Sequence, residues 1–244
     1  MKDLRQISLC NVAYKIVSKL LANRLKKCLD KCIGEEQSDF VEGRSILDNS
    51  MIAFEVIHVF KKGTSGKNAQ LDLKIDMSKA YDRMNWARKM FEAWDPLSLY
   101  IFILIIEGLS ALIRGAVARG DLHRIHIFRG ASSVSHLIFA DDCFLFCRTN
   151  LIEVHNIMEI LNLYDEASGQ DINLSIFEVF FSRNIRIPAQ EDLASIMGVR
   201  HVLGTGTYLG LPSLIGRSKK ATFGYVKDMI WKKINSWKGS RYLK

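Results

Sequence analysis

At 244 residues, 48% hydrophobic and 25% charged, the chain has the composition of one large globular domain or two small ones, which excludes disordered, collagen-like and disulfide-scaffold classes. Its 34 Lys+Arg against 26 Asp+Glu give a formal charge of +8, and the excess sits at the ends. Residues 217–244 hold nine basic side chains against Asp228 alone, residues 1–31 hold eight against Asp3 and Asp30, and the middle is net acidic; such ends suit phosphate backbones, and equally suit solvated helix faces.

From residue 11 to 32 the positions Val12, Ile16, Val17, Leu20, Leu21, Leu25 and Leu29 recur at three- and four-residue steps. This predicts an amphipathic helix whose apolar stripe is core and whose lysines face outward. Residues 45–60 repeat the pattern behind a Ser45 or Asp48 cap. After the Gly63 to Gly66 turn, Leu71, Leu73 and Ile75 alternate with Asp72, Lys74 and Asp76, a half-buried strand. Residues 78–94 read as helix, and Pro96 opens another helix to about Ala118. Residues 136–140 and 143–147 are apolar strands joined by Asp141-Asp142, a hairpin. A helix over 152–167 ends at Gly169, a strand follows over 176–181, and Pro188 starts a short helix ending near Gly198. Residues 208–212 read as a strand, and 219–237 as a basic amphipathic helix. Single helices interleaved with strand pairs predict an α+β architecture with a small antiparallel sheet.

Five cysteines, an odd number without a signal peptide, point to reduced thiols in an intracellular protein of nucleus or cytoplasm that is not secreted. Cys28 and Cys32, like Cys143 and Cys147, lie four apart, and His123 and His126 lack a cysteine partner, so no zinc site is expected. The longest apolar run, over 97–106, is about ten residues against the roughly twenty a bilayer requires, and no membrane partner is expected. The chain opens directly on a periodic apolar segment, as a piece of something larger would.

Asp141 and Asp142 place two negative charges at the tip of an apolar hairpin, a repulsion that a cation would relieve, although aspartate is also an ordinary turn residue. Asp76 ends the Leu71 to Ile75 strand. If the two strand elements are neighbours, Asp76 and Asp141 meet at one end of the sheet, and an all-oxygen donor set of that density suits Mg²⁺. Two such ions about 3.5–4 Å apart would serve phosphoryl or nucleotidyl transfer. A metal-dependent phosphatase using Asp72 and Asp76 fits less well, because no nucleophile motif surrounds them.

Ile75-Asp76-Met77-Ser78-Lys79-Ala80-Tyr81-Asp82 together with Phe139-Ala140-Asp141-Asp142 resembles motifs A and C of reverse transcriptases, in the form found in plant non-LTR retrotransposons of the long interspersed element type. The segments from Arg5 to Asn11 and from Gln37 to Arg44 resemble the fingers, and Asp95-Pro96-Leu97-Ser98 the tail of motif B. Ala167 to Asn173, Tyr208 to Pro212 and Gly216 to Lys220 resemble the palm end and the start of the thumb.

The resemblance implies fingers over 1–66, palm over 67–183 and palm end with basic thumb start over 184–244. It implies RNA-directed DNA polymerisation on an RNA template from a DNA primer, with dNTPs as substrate and an RNA–DNA duplex held by the enzyme. Asp76, Asp141 and Asp142 would be the catalytic ligands of two Mg²⁺ ions. Tyr81 falls where the family has a steric gate, a position otherwise read as core. Arg5, Arg44 and Lys79 would contact dNTP phosphates, or be solvated charges. Lys219, Lys220, Lys227, Lys232 and Lys233 would face nucleic acid, with Trp231 and Trp237 as thumb core or as stacking platforms.

The chain departs from the family where Trp94 meets Asp95. Roughly sixty residues of palm are missing there by comparison with the resemblance, far more than a short loop replaces. Gln6 and Leu99 stand in place of prolines, and Ile176 in place of a lysine that would assist the leaving pyrophosphate. The resemblance thus implies an internal fragment of a retrotransposon polyprotein with little or no activity, against the alternative of a non-catalytic remnant that at most binds nucleic acid.

Binding to nucleic acid should tolerate any sequence and weaken steeply with salt, since it rests on Lys and Arg contacts to phosphates with counterion release. Removing residues 217–244 should lower affinity and flatten the salt slope in fluorescence-anisotropy titrations. Unchanged binding after the deletion would contradict the assignment of the basic end.

Overall fold

The computed structural model describes residues 12–39, 41, 43–62, 69–77, 96–126, 133–140, 142–169, 172, 174, 177–201, 207–208, 211–212 and 231. The chain divides into two compact units, Met1–Val202 and Leu203–Lys244. In the first, helices α1 (Val12–Cys32) and α2 (Ile46–Lys62) precede strand β1 (Gln70–Asp76) and the long helix α3 (Pro96–Arg119). Two short strands, β2 (Ile125–His126) and β3 (Ser133–Val134), lead to β4 (His136–Phe139) and β5 (Asp142–Arg148). Then come α4 (Leu151–Ser168), β6 (Glu178–Phe181), α5 (Ile187–Met197) and β7 (Arg200–His201). Within the second unit β8 (Thr207–Tyr208) pairs antiparallel with β9 (Leu211–Pro212), so two short paired strands stand where the sequence predicted one over 208–212. The predicted helix over 78–94 lies outside the described residues, as does that over 219–237 apart from the helical Trp231.

The main sheet has the order β4-β5-β1-β6-β7. All its pairs are antiparallel except β6 with β7, which makes the sheet mixed and corrects the antiparallel expectation. The reason is α5, which carries the chain back so that β7 runs in the direction of β6. Its caps were legible: Pro lies in the first turn and Gly198 closes the helix at φ 64°. The start of α4 is fixed by a reciprocal cap, in which the Glu153 amide donates to Asn150 Oδ1 at 2.8 Å and Asn150 Nδ2 donates to Glu153 Oε1 at 3.0 Å.

Alternation along β1 decides the core. Leu71, Leu73 and Ile75 pair with Cys147, Leu145 and Cys143, and this face packs on Phe102, Ile106, Leu109 and Ile113 of α3 and on Val154, Ile157 and Leu161 of α4. By length and composition Leu97–Arg119 is long and apolar enough to cross a membrane. The apolar run looked shorter in sequence because Glu107 interrupts it, but in the helix Glu107 is ion-paired with Arg114 and the apolar side is core.

Only the second half of α1 follows its predicted stripe. Leu29 is buried in a cluster with Ile33, Val41 and Ile103 of α3, and Leu25, Leu99, Tyr100 and Leu104 pack against it. Val12, Ile16, Val17, Leu20 and Leu21 are exposed instead, 42% or more each. The buried line runs through Ser18 and Ala22, because the small side chains are those that meet a neighbour.

The strand predicted as half-buried is covered on both faces. Asp72 stands opposite Phe146 on one side and Phe180 on the other, is fully buried, and neither carboxylate oxygen has a hydrogen-bond partner. Burial raises its pKa well above the usual carboxylate range, against a smaller pull downward from Lys74. A buried carboxyl of this kind is no candidate for an exposed phosphatase pair with Asp76. Because the folded pKa lies above the unfolded one, Asp72 leaves stability intact below the ordinary aspartate pKa and reduces it as pH rises through the folded value. Asp72→Val should therefore stabilise the chain at pH 8 by on the order of 1–3 kcal/mol, with a smaller gain at pH 4.5. Denaturant melts at the two pH values measure this, and an equal effect at both would contradict the assignment.

Candidate functional site

The β4–β5 hairpin turns one residue earlier than the sequence suggested. Phe139 pairs with Asp142, so Asp142 belongs to β5 and the turn opens at Ala140. A two-residue hairpin needs positive φ at its first central position to follow the strand twist, and Ala140 supplies it at φ 51°. An alanine in this left-handed region costs about 1–2 kcal/mol.

Next to this turn, β1 ends. Asp76 is the register partner of Asp142 at the last position of the β1–β5 ladder. Directly opposed residues of antiparallel strands stand about 4.5–5.5 Å apart, and like charges placed so are destabilising. Two carboxylate-bearing residues are thus brought together at one end of the two central strands, with a third, Asp141, adjacent in sequence. Asp141 itself, with Arg5, Lys79, Tyr81, Ile176, Lys219, Lys220, Lys227, Lys232, Lys233 and Trp237, lies outside the described residues. Among the described residues no group of three metal-ligating side chains occurs.

Arg44 is occupied within its own loop. Its guanidinium donates to the carbonyls of Ile33 at 3.1 Å, Gln37 at 2.6 Å and Gly34. His123 Nδ1 meets Glu153 Oε1 at 2.9 Å, which gives that histidine a carboxylate partner. Cys143 and Cys147 are buried, and burial pushes both thiols up, with Asp72 adding to each, so they stay protonated; Cys28 and Cys32 are free and exposed.

Residues 1–95 match the family model described as "Reverse transcriptase (RNA-dependent DNA polymerase)". The chain is similar to the uncharacterized 149 kDa protein of transposon TX1 from Xenopus laevis, 39% identical over 288 residues that take in 98% of this chain and 21% of that protein. It is also similar to an uncharacterized mitochondrial protein of Arabidopsis thaliana, 48% identical over 48 residues, or 20% of this chain and 39% of that one. The chain therefore spans about a fifth of the length of the first relative and about two fifths of the second.

A buried polar cluster behind the hairpin has no counterpart in the sequence reading. His136, at the start of β4, is fully buried, with Nε2 2.7 Å from Ser110 Oγ and Nδ1 3.0 Å from Ser135 Oγ. Arg114 donates to Ser110 Oγ at 2.7 Å and to Glu36 Oε2 at 3.1 Å, and is ion-paired with Glu107. The signal was present as Glu107, Ser110 and Arg114 at three- and four-residue steps inside an apolar helix, a polar stripe that requires buried partners. Burial lowers the pKa of His136 to about 4; Glu36 pulls it up, while Arg114 and Arg124 push it down. The imidazole is thus neutral in the folded chain. The unfolded chain takes up the proton first as pH falls, so this contribution is complete above about 6.5 and is lost as pH drops through about 4. The melting temperature should fall over that interval, and His136→Gln should flatten the fall. Identical pH profiles for the two proteins in calorimetry would contradict a buried neutral histidine.

Proposed function

We propose that the chain is a fragment of an RNA-directed DNA polymerase from a non-LTR retrotransposon, of the long interspersed element type found in plants, with fingers, palm and the start of the thumb in chain order. The observation that carries this reading is the register pairing of Asp76 with Asp142 beside the strained Ala140. It supports a shared carboxylate site made from two segments far apart in sequence. The reverse transcriptase match over residues 1–95 and the likeness to a transposon protein support the same ancestry.

Carboxylate oxygens are hard donors and fit Mg²⁺, so Asp76, Asp141 and Asp142 would hold the two ions. Bound there, the ions would supply charge stabilisation for attack of a primer 3′ oxygen on a dNTP. The rest falls to the chain's own residues. Tyr81 would crowd the sugar 2′ position and exclude ribonucleotides, Arg5 and Lys79 would meet the phosphates, and Arg44 would act through the loop it holds. Lys219, Lys220, Lys227, Lys232 and Lys233 would follow the backbone of an RNA–DNA duplex, a sequence-independent contact. Nucleus and cytoplasm both suit that substrate.

A break in the palm supports low activity. The family match stops at residue 95, where Trp94 meets Asp95. The alignment to the transposon protein runs over 288 residues, more than the 244 of this chain, so part of that relative faces no residue here. Loss of positioning residues is costly even when metal ligands remain, since a misplacement of about 1 Å can reduce a rate about a hundredfold. A missing acid in place of Ile176 would cost on the order of 10²–10⁴-fold more. The same break favours the second reading, a remnant that binds nucleic acid without polymerising it.

Primer extension on an RNA template with Mg²⁺ tests the proposal, comparing the unmodified chain, Asp141→Asn and a version with the palm segment restored. We expect extension only from the restored version, abolished when Asp141→Asn is added. Robust extension by the unmodified chain would overturn the inactivity, and a restored chain indifferent to Asp141→Asn would overturn the catalytic assignment.

A further inference from the structure

β4 is an edge strand of the main sheet, yet its outer side is occupied. The Ile138 amide donates to Glu36 O at 2.8 Å, and the Ile138 carbonyl accepts from Ser38 N at 3.1 Å and from Asn49 Nδ2 of α2 at 2.8 Å. Gln37 makes a parallel bridge to Ile138. Residues 36–38 therefore act as one more short strand, and the loop containing them is held by Arg44 through three carbonyls. On the inner side, His136 reaches Ser110 of α3.

These contacts close on themselves. The Glu36 backbone holds Ile138; the Glu36 carboxylate holds Arg114; Arg114 holds Ser110; Ser110 holds His136, two residues from Ile138. Gly34 belongs to the same device, because a Cβ there would collide with the Arg114 guanidinium and the Glu36 carboxylate. A closed circuit restrains its members more than separate contacts do, since no bond can lengthen without straining the next.

We propose that this circuit positions the metal site: it fixes the height of β4, and through it Ala140 and Asp142, relative to Asp76. His136 is a positioning residue in it, acting through Ser110 and touching no ligand. The inference rests on the carboxylate site proposed above and adds the residues that hold its hairpin.

The test is Mn²⁺ affinity of the whole chain, read by electron paramagnetic resonance of free Mn²⁺, with melting temperatures measured in parallel. Asp142→Asn is the control for the site. His136→Leu and Ser110→Ala should weaken Mn²⁺ binding on the order of tenfold, as loss of an orienting partner does at metal sites. His136→Gln, whose amide reaches the place of Nε2, should recover most of that affinity. His136→Asn, which reaches only the place of Nδ1, should not. A merely structural role would make affinity follow melting temperature across the four variants regardless of the Ser110 contact, and that result overturns the proposal. So does unchanged affinity in both His136→Leu and Ser110→Ala while Asp142→Asn abolishes binding. Unchanged affinity in Asp142→Asn would instead overturn the metal site itself, and the positioning role with it.

Discussion

Seven residues of β1 lie against seven of β5 in unbroken antiparallel register, from Gln70 opposite Arg148 to Asp76 opposite Asp142. Because side chains alternate along a strand, this one alignment sets both the core and the candidate site. Leu71, Leu73 and Ile75 meet Cys147, Leu145 and Cys143 on the face that α3 and α4 cover. A slip of one residue would exchange the faces, turn the aliphatic row away from α3 and α4 and separate Asp76 from Asp142. The apolar burial that fixes the fold is therefore also what holds two mutually repelling carboxylate positions together.

The second constraint is the edge. A sheet ending at β4 would leave free N–H and C=O groups beside the hairpin that carries Asp142. The chain occupies that edge with residues 36–38 and Asn49, and ties the occupying segment back to α3 through Glu36 and Arg114. Segments preceding β1 in sequence are thus structurally part of the hairpin that follows α3. In the fingers-and-palm reading, this is the joint between the two.

Polar burial is used in two opposite ways. The cluster around Arg114 answers most of its hydrogen-bonding groups, with Glu107 Oε2 left over, and burial keeps His136 neutral between two hydroxyls. Asp72 has nothing, although it lies on the same strand as Asp76. A satisfied network restrains its neighbours, whereas an unpartnered carboxyl only subtracts from stability.

Periodicity and end signals alone determined α1, α2, α3, α4 and α5, and the strand character of β1, β4 and β5, because 3.6- and 2-residue repeats and Pro or Gly ends are local properties. The meeting of Asp76 with Asp142 was legible too, since both stand in motifs readable without coordinates. What the chain could not reveal by itself was where each stripe finds its partner. The first half of α1 has the right pattern and stays exposed, while Ser18 and Ala22 carry the contact. Asp72 alternates as a solvent-facing residue would and is buried, because Phe146 and Phe180 come from strands distant in sequence. Asp142 left the expected turn for β5 because ladder pairing with Phe139 outweighed the turn preference of aspartate. The parallel β7 and the Glu36–Arg114–Ser110–His136 circuit depend on contacts between segments that no local spacing relates, so only the tertiary structure decided them.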